Sequence, residues 1–143
     1  MKLSIENIKL NGALNVLDKL SLKGLKSIHR TRLLEKLKEE LQRVAKEENA
    51  LRKEYSHLDD EGEPLVKEDS KGRKVLDLKD EAGFKDAIAE FYKEKIIIDS
   101  GDSQVTLKSV KRSLEESEEE WQGEEAYDFA DLYEAFEGNT EDE

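Results

Sequence analysis

The sequence predicts an α+β fold, mostly α: a long helix in a helical hairpin, a small β-sheet or hairpin, and an acidic C-terminal helix. Three observations carry this. One apolar seam, Leu34 to Leu58, keeps a heptad-like spacing far longer than a single helix of ordinary length needs. Short alternating or β-branched runs at Leu3–Ile5, Leu65–Val66, Val75–Leu78 and Ile96–Ile98 are too brief for helices and are bounded by polar residues. The 31 residues from Ser113 to Glu143 hold 14 acids and no Lys or Arg, yet five aromatic rings are interleaved among them.

Residues 2–8 read as a strand, with Leu3 and Ile5 alternating against polar neighbours. Leu10, Leu14, Leu17 and Leu20 then fall at helical spacing, giving a short amphipathic helix over about residues 11–20. Ser21-Leu22-Lys23-Gly24 breaks it. Ser27 suits an N-cap, so the main helix is expected from Lys26 or Ser27 to Leu58. Its stripe is Leu34, Leu37, Leu41, Val44, Leu51, Tyr55 and Leu58, and about 30 helical residues span roughly 45 Å. Such a seam needs a partner helix, in the same chain or in a second copy; a homodimer through Leu34–Leu58 is one arrangement.

Asp59-Asp60-Glu61-Gly62-Glu63-Pro64 is a turn cluster with the only proline. A hairpin follows, with Pro64–Val66 and Lys74–Leu78 as strands around Ser70-Lys71-Gly72. Residues 79–93 form a second helix with Phe84, Ala87, Ile88, Phe91 and Tyr92 on one face, the natural antiparallel partner of the long helix. Lys95–Asp99 reads as a buried strand, Ser100–Ser103 as a polar loop, and residues 105–117 as a third helix on Leu107, Val110 and Leu114. The fourth helix runs from Glu124 to Glu137 with Tyr127, Ala130 (with Phe129), Leu132, Tyr133 and Phe136 on its apolar face, and Gly138 ends it.

With 143 residues the expectation is a single domain, 1–137, followed by a disordered acidic tail, 138–143. Hydrophobic residues are 36% and charged residues 42%, a thin apolar supply that points to an elongated or thinly layered molecule. There is no cysteine, which excludes disulfides and sulfur-ligated zinc. No apolar run reaches the ~18 residues of a membrane span, and the first residues carry no apolar leader core, so a cytoplasmic protein is expected.

Charge is laid out unevenly. The formal charge is −12, but residues 1–112 carry 24 basic against 22 acidic side chains, so the negative balance belongs to the last 31 residues. Seven bases lie between Lys19 and Lys38 against Glu35 alone. With an acidic chain overall, nucleic-acid binding is disfavoured. The basic cluster, with Lys23, Lys26, Arg30, Arg32 and Lys36 at its centre, either pairs with the chain's own acidic part or docks on an acidic partner. In the acidic part, Trp121, Tyr127, Asp128, Asp131 and Tyr133 are the candidate contacts, either for the chain's own core or for a partner; carboxylates in a row can also imitate phosphates.

The opening Lys2–Leu41 (KLSIENIKLNGALNVLDKLSLKGLKSIHRTRLLEKLKEEL), the block Lys53–Asp69 (KEYSHLDDEGEPLVKED) and the acidic, aromatic C-terminal helix resemble a family of uncharacterised proteins of tailed, mostly temperate phages of low-GC Gram-positive bacteria. The likeness covers most of the chain, and its motifs are structural. It implies a viral protein acting inside the infected host cell and brings no catalytic residue with it.

The chemistry-bearing motifs are weak. His29 and His57 are 28 residues apart on one expected helix and cannot share a metal within a subunit. Neither a zinc-protease, nucleophile-elbow nor phosphate-loop pattern is present. The acid cluster at Asp59–Glu63 lacks the spacing of a calcium loop, and Asp99–Ser103 is no better. Abundant carboxylates do not make an acid–base pair without a desolvated cleft. The expectation is therefore no enzyme and no cofactor, but a phage accessory protein binding a host or phage protein. Two alternatives are an acidic, DNA-mimicking inhibitor of a host nucleic-acid-handling or antiviral defence enzyme, and a virion or tail assembly factor.

Overall fold

The computed structural model describes residues 1–99 and 101–138. Ser100 of the expected polar loop and residues 139–143 of the expected tail lie outside the described residues. The chain forms two compact units: Met1–Leu41 with the residues from Glu94 on, and Gln42–Lys93. The mostly-α α+β class holds for it, with a long helix and small antiparallel sheets.

In the first unit, β1 (Lys2–Glu6) leads through a 3-10 turn at Asn7–Lys9 into α1 (Leu10–Lys19). Leu3 and Ile5 are buried while Lys2 is exposed, as the alternation requires. α1 buries Leu10, Ala13, Leu14, Val16 and Leu17 along one face. The helix α2 (Leu25–Tyr55) starts two residues before the expected Ser27 cap. Gly24, at φ +61°, turns the chain into the helix, and its carbonyl accepts from the N–H groups of Ser27 and Ile28 at 3.1 and 3.2 Å, so Ser27 lies inside the first turn. The unit's part of α2 buries Leu33, Leu34 and Leu37. β4 (Lys95–Ile98), α4 (Gln104–Glu115), α5 (Glu124–Ala135) and β5 (Phe136–Glu137) complete it, once β2, β3 and α3 of the other unit have intervened. The strand order is β4-β1-β5, all antiparallel, with Leu3 opposite Ile98 on one side and Phe136 on the other.

Two expectations are corrected here. The Ile96–Ile98 strand is not buried throughout: Ile96 and Ile98 are buried, but Ile97 is 54% exposed, because alternation places it on the solvated face of an antiparallel sheet that buries only the other. The last helix stops at Ala135, and Phe136 lies in a strand against β1 rather than on a helical face. Tyr127 and Ala130 point to solvent, and the buried residues of α5 are Leu132 and Ala135.

In the second unit, the rest of α2 packs antiparallel against α3 (Glu81–Lys93). The rings of Tyr55 and Phe84 meet edge to face at 6.0 Å near one end, and Tyr92 bonds Glu48 near the other. Asp80 caps α3 by accepting from the Gly83 N–H at 2.9 Å. The helix ends at Tyr55, not Leu58, because Ser56 and Leu58 are drawn into bridges with Leu78 and Pro64. The hairpin of β2 (Val66–Glu68) and β3 (Lys74–Leu76) joins this arrangement. Two turns share one chemistry. Asp59 accepts from the N–H groups of Glu61 and Glu63, and Asp69 from those of Lys71 and Arg73, with Gly62 and Gly72 at φ +82° and +77°. These backbone bonds, the Arg73 N–H first, hold the Asp69 carboxyl below its ordinary range.

Candidate functional site

The acidic C-terminal part lies against the first unit's own core, and the basic segment is among the things it meets. α5 runs beside α1 so closely that a Cβ on Gly12 would come within 2.5 Å of Asp128 Oδ1. Lys9 pairs with Asp131 at 3.5 Å and Lys2 with Glu137 at 3.4 Å. The Lys9 ammonium is held above its usual range, chiefly by its bond to Glu6 and then by Asp131. The Asp128 carboxyl is pushed up, first by burial and then by Glu124, Asp131 and Glu125.

Between α4 and α5 the chain crosses Ser117–Gln122 and turns at Gly123, φ +59°. This connection and its flanks are tied to the end of α1, the link after it and the first turn of α2. Lys26 meets Glu116 at 3.0 Å, the Ser21 N–H donates to Glu119 at 2.9 Å, and Lys19 reaches both Glu125 at 3.1 Å and the Glu120 carbonyl at 2.9 Å. The Ser117 hydroxyl also donates to Glu119, and this bond, followed by the Ser21 N–H, lowers the Glu119 carboxyl. Exposed pairs of this kind contribute ~0–1 kcal/mol each, so they orient the connection more than they stabilise it.

On one side of the connection, Trp121 stacks on Phe129 at 4.9 Å and 28°, and Phe129 lies parallel to Tyr133 at 6.4 Å and 7°. Lys19 sits 5.0 Å over the Trp121 ring and Lys111 5.8 Å over Tyr133. With Leu114, Glu115 and Ser117 these rings line an open groove of about 520 Å³. All three rings are half-buried. The indole N–H of Trp121 is buried and finds no acceptor among the described residues, which costs about 1–3 kcal/mol. On the other side, Leu20–Lys23, Lys26, Ser113 and Glu116–Glu119 line a polar groove of about 530 Å³.

The ten candidate residues therefore separate. Trp121 and Tyr133 share the aromatic groove, and Lys23 and Lys26 the polar one. Arg30 serves the fold: its guanidinium donates to the carbonyls of Leu17 and Leu20 at 2.9 and 2.7 Å, closing the end of α1. Lys36 bonds Ser103 Oγ at 2.9 Å, and with Arg32 lines a separate cleft beside Ile98 and Leu107. Asp128 and Asp131 face α1 and Lys9, while Tyr127 is 76% exposed, outside both grooves. Phe129 and Lys19 were not among the candidates. The i, i+4 spacing of Phe129 and Tyr133 was a visible signal, but the approach of Lys19 depends on long-range docking.

His29 is half-buried in α2 and His57 is exposed. Among the described residues, no three His, Cys, Asp or Glu side chains are grouped to hold a metal ion, and no helix is long and apolar enough to cross a membrane. No curated protein and no solved structure matches the chain. The signature of a family described as protein of unknown function (DUF1617) matches residues 1–143, and the chain belongs to that family.

Proposed function

We propose that this chain is a non-enzymatic phage accessory protein that binds another protein, of the host or the phage, in the cytoplasm of the infected cell. The observation that carries this reading is the groove of Trp121, Phe129 and Tyr133. Stacked aromatic rings left half-open are what protein interfaces use as anchors. Glu115 lies in the groove lining and, like Glu118 and Glu124, has no cationic partner among the described residues. An apolar or aromatic anchor flanked by Lys or Arg fits that combination. The phage setting rests on the resemblance of Lys2–Leu41 and Lys53–Asp69.

A second reading, an acidic inhibitor that imitates nucleic acid, draws on the same unpaired carboxylates. It has less support, because Glu116, Glu119, Glu125, Asp131 and Glu137 are engaged by the chain's own groups. The two are separated by capturing partners on the tagged chain at low salt and at about 0.5 M, where exposed charge pairs are screened. The groove reading expects a partner retained at high salt and lost with Trp121→Ala. Loss of all binding at high salt, with Trp121→Ala equal to the parent, refutes it.

A further inference from the structure

We propose that the open edge of β4 is a self-pairing site, at which a second copy of this chain docks antiparallel about Ile97. The inference is independent of the aromatic groove. β4 ends the sheet order β4-β1-β5, so among the described residues one row of its backbone groups has no strand beside it. Which residues own that row follows from the register. The Asn7 N–H donates to the Glu94 carbonyl at 2.8 Å, and the pairs Ile5–Ile96 and Leu3–Ile98 continue that ladder. Antiparallel partners alternate between bonded and non-bonded pairs. Ile96 and Ile98 therefore spend their backbone groups on β1, while Lys95 and Ile97 turn theirs to the open edge.

The segment Lys95-Ile96-Ile97-Ile98-Asp99 is complementary to its own reverse. Centred on Ile97, an antiparallel copy places Ile97 opposite Ile97, Ile96 opposite Ile98, and Lys95 opposite Asp99. The centre falls on a residue whose N–H and C=O already face outward, as a bonded pair requires. Both charged ends are then matched, twice by symmetry, and opposite charges across strands are favourable. Lys95, Ile97 and Asp99 are exposed, and Ile97 is 54% so. Ile96 and Ile98 are buried on the core face, so their pairing extends an existing apolar layer. The Asp99 carbonyl accepts from Gln104 Nε2 at 3.1 Å, the same nitrogen that reaches the Met1 carbonyl, so the backbone groups offered to the incoming strand are those of Lys95 and Ile97. A cleft of about 300 Å³ runs beside the edge, lined by Lys36, Glu39 and Glu40 of α2 with Ile97, Ile98 and Asp99.

The expected interface is small. A four-residue strand and its flanking Asp99 on each side bury less than the ~1,000 Å² of a stable complex, so the dimer is reversible and concentration-dependent. The helix seam is a poorer site, because Leu34, Leu37 and Val44 are already buried within the chain.

The test is sedimentation velocity of the full chain across a wide concentration range. Ile97→Pro removes an outward N–H and spares the bonds to β1; circular dichroism checks that it stays folded. It is expected to abolish the dimer. Lys95→Glu puts like charges opposite each other at both ends and is expected to raise the dissociation constant about tenfold. Lys95→Glu combined with Asp99→Lys restores the pairs with reversed sign and is expected to recover the dimer. Because the chain has no cysteine, Ile97→Cys gives a direct readout. Bonded antiparallel pairs have Cα atoms about 5.5 Å apart, within disulfide reach, so mild oxidation should yield a covalent dimer. A control at the exposed Val105 should not. A monomer at every concentration, or a dimer indifferent to Ile97→Pro and Lys95→Glu, overturns the proposal.

Discussion

The contact of Gly12 with Asp128 yields a prediction whose sign changes with its background. In an ordinary helix, Gly→Ala stabilises by about 0.5–1 kcal/mol, because the unfolded chain loses freedom. At Gly12 the new Cβ would lie 2.5 Å from Asp128 Oδ1 and 2.6 Å from Cγ, so the carboxyl group must move. Overpacking of this kind costs about 1–3 kcal/mol. Gly12→Ala is therefore expected to destabilise the chain by about 0.5–2 kcal/mol net. With Asp128→Ala already in place, the obstacle is gone and the same substitution should stabilise by about 0.5–1 kcal/mol. The coupling between the two positions is then about 1–3 kcal/mol. Urea unfolding of the parent, both single variants and the double variant measures it. A shift of about 3–4 °C in Tm per kcal/mol is expected for a chain of this size. Equal effects of Gly12→Ala in both backgrounds would refute the close packing of α1 on α5.

Three further outcomes follow from the same geometry. Asp128 titrates above its ordinary value, so the folded state prefers it protonated; its ionisation costs stability above pH 3.8 and costs nothing once both states are protonated. Asp128→Asn should raise the urea midpoint at neutral pH and change it little near pH 3. Glu119 has the opposite sign: its lowered value contributes stability above its ordinary 4.5, lost as pH falls through the folded-state value. Glu119→Gln should therefore flatten the acid limb of the stability curve, which urea midpoints between neutral pH and pH 3 will show. Arg30→Ala removes two charge-assisted bonds, both from Nη1, to the end of α1 and should lower stability by about 1–3 kcal/mol, with Arg30→Lys milder because one ammonium can donate to both carbonyls; both are read by urea unfolding.

Helices were legible in the sequence because their faces repeat. Leu10, Leu14 and Leu17 define α1, and Leu107, Val110 and Leu114 define α4, by spacing alone. The Asp–Gly turns were legible because carboxylate and glycine chemistry is local. What escaped was decided by long-range pairing. Leu58 continues the helical stripe, yet it and Ser56 join bridges with Pro64 and Leu78. Phe136 fits a helical face yet pairs with Leu3, 133 positions earlier. The charge asymmetry said that the basic and acidic parts could meet, but not that Lys19 would sit over Trp121 while Arg30 turned back to cap α1. Nor could periodicity separate Tyr127, which is exposed, from Phe129 and Tyr133, which line a groove two and six residues on.

The central claim is that the rings at Trp121, Phe129 and Tyr133 form the face this chain offers to another protein. The most direct measurement is quantitative capture on the tagged chain, parent beside Trp121→Ala and Tyr127→Ala, at low salt and at about 0.5 M. The account predicts one partner held by the parent and by Tyr127→Ala at both salt concentrations and lost with Trp121→Ala. Equal capture by Trp121→Ala, with its fold intact by circular dichroism, would contradict it.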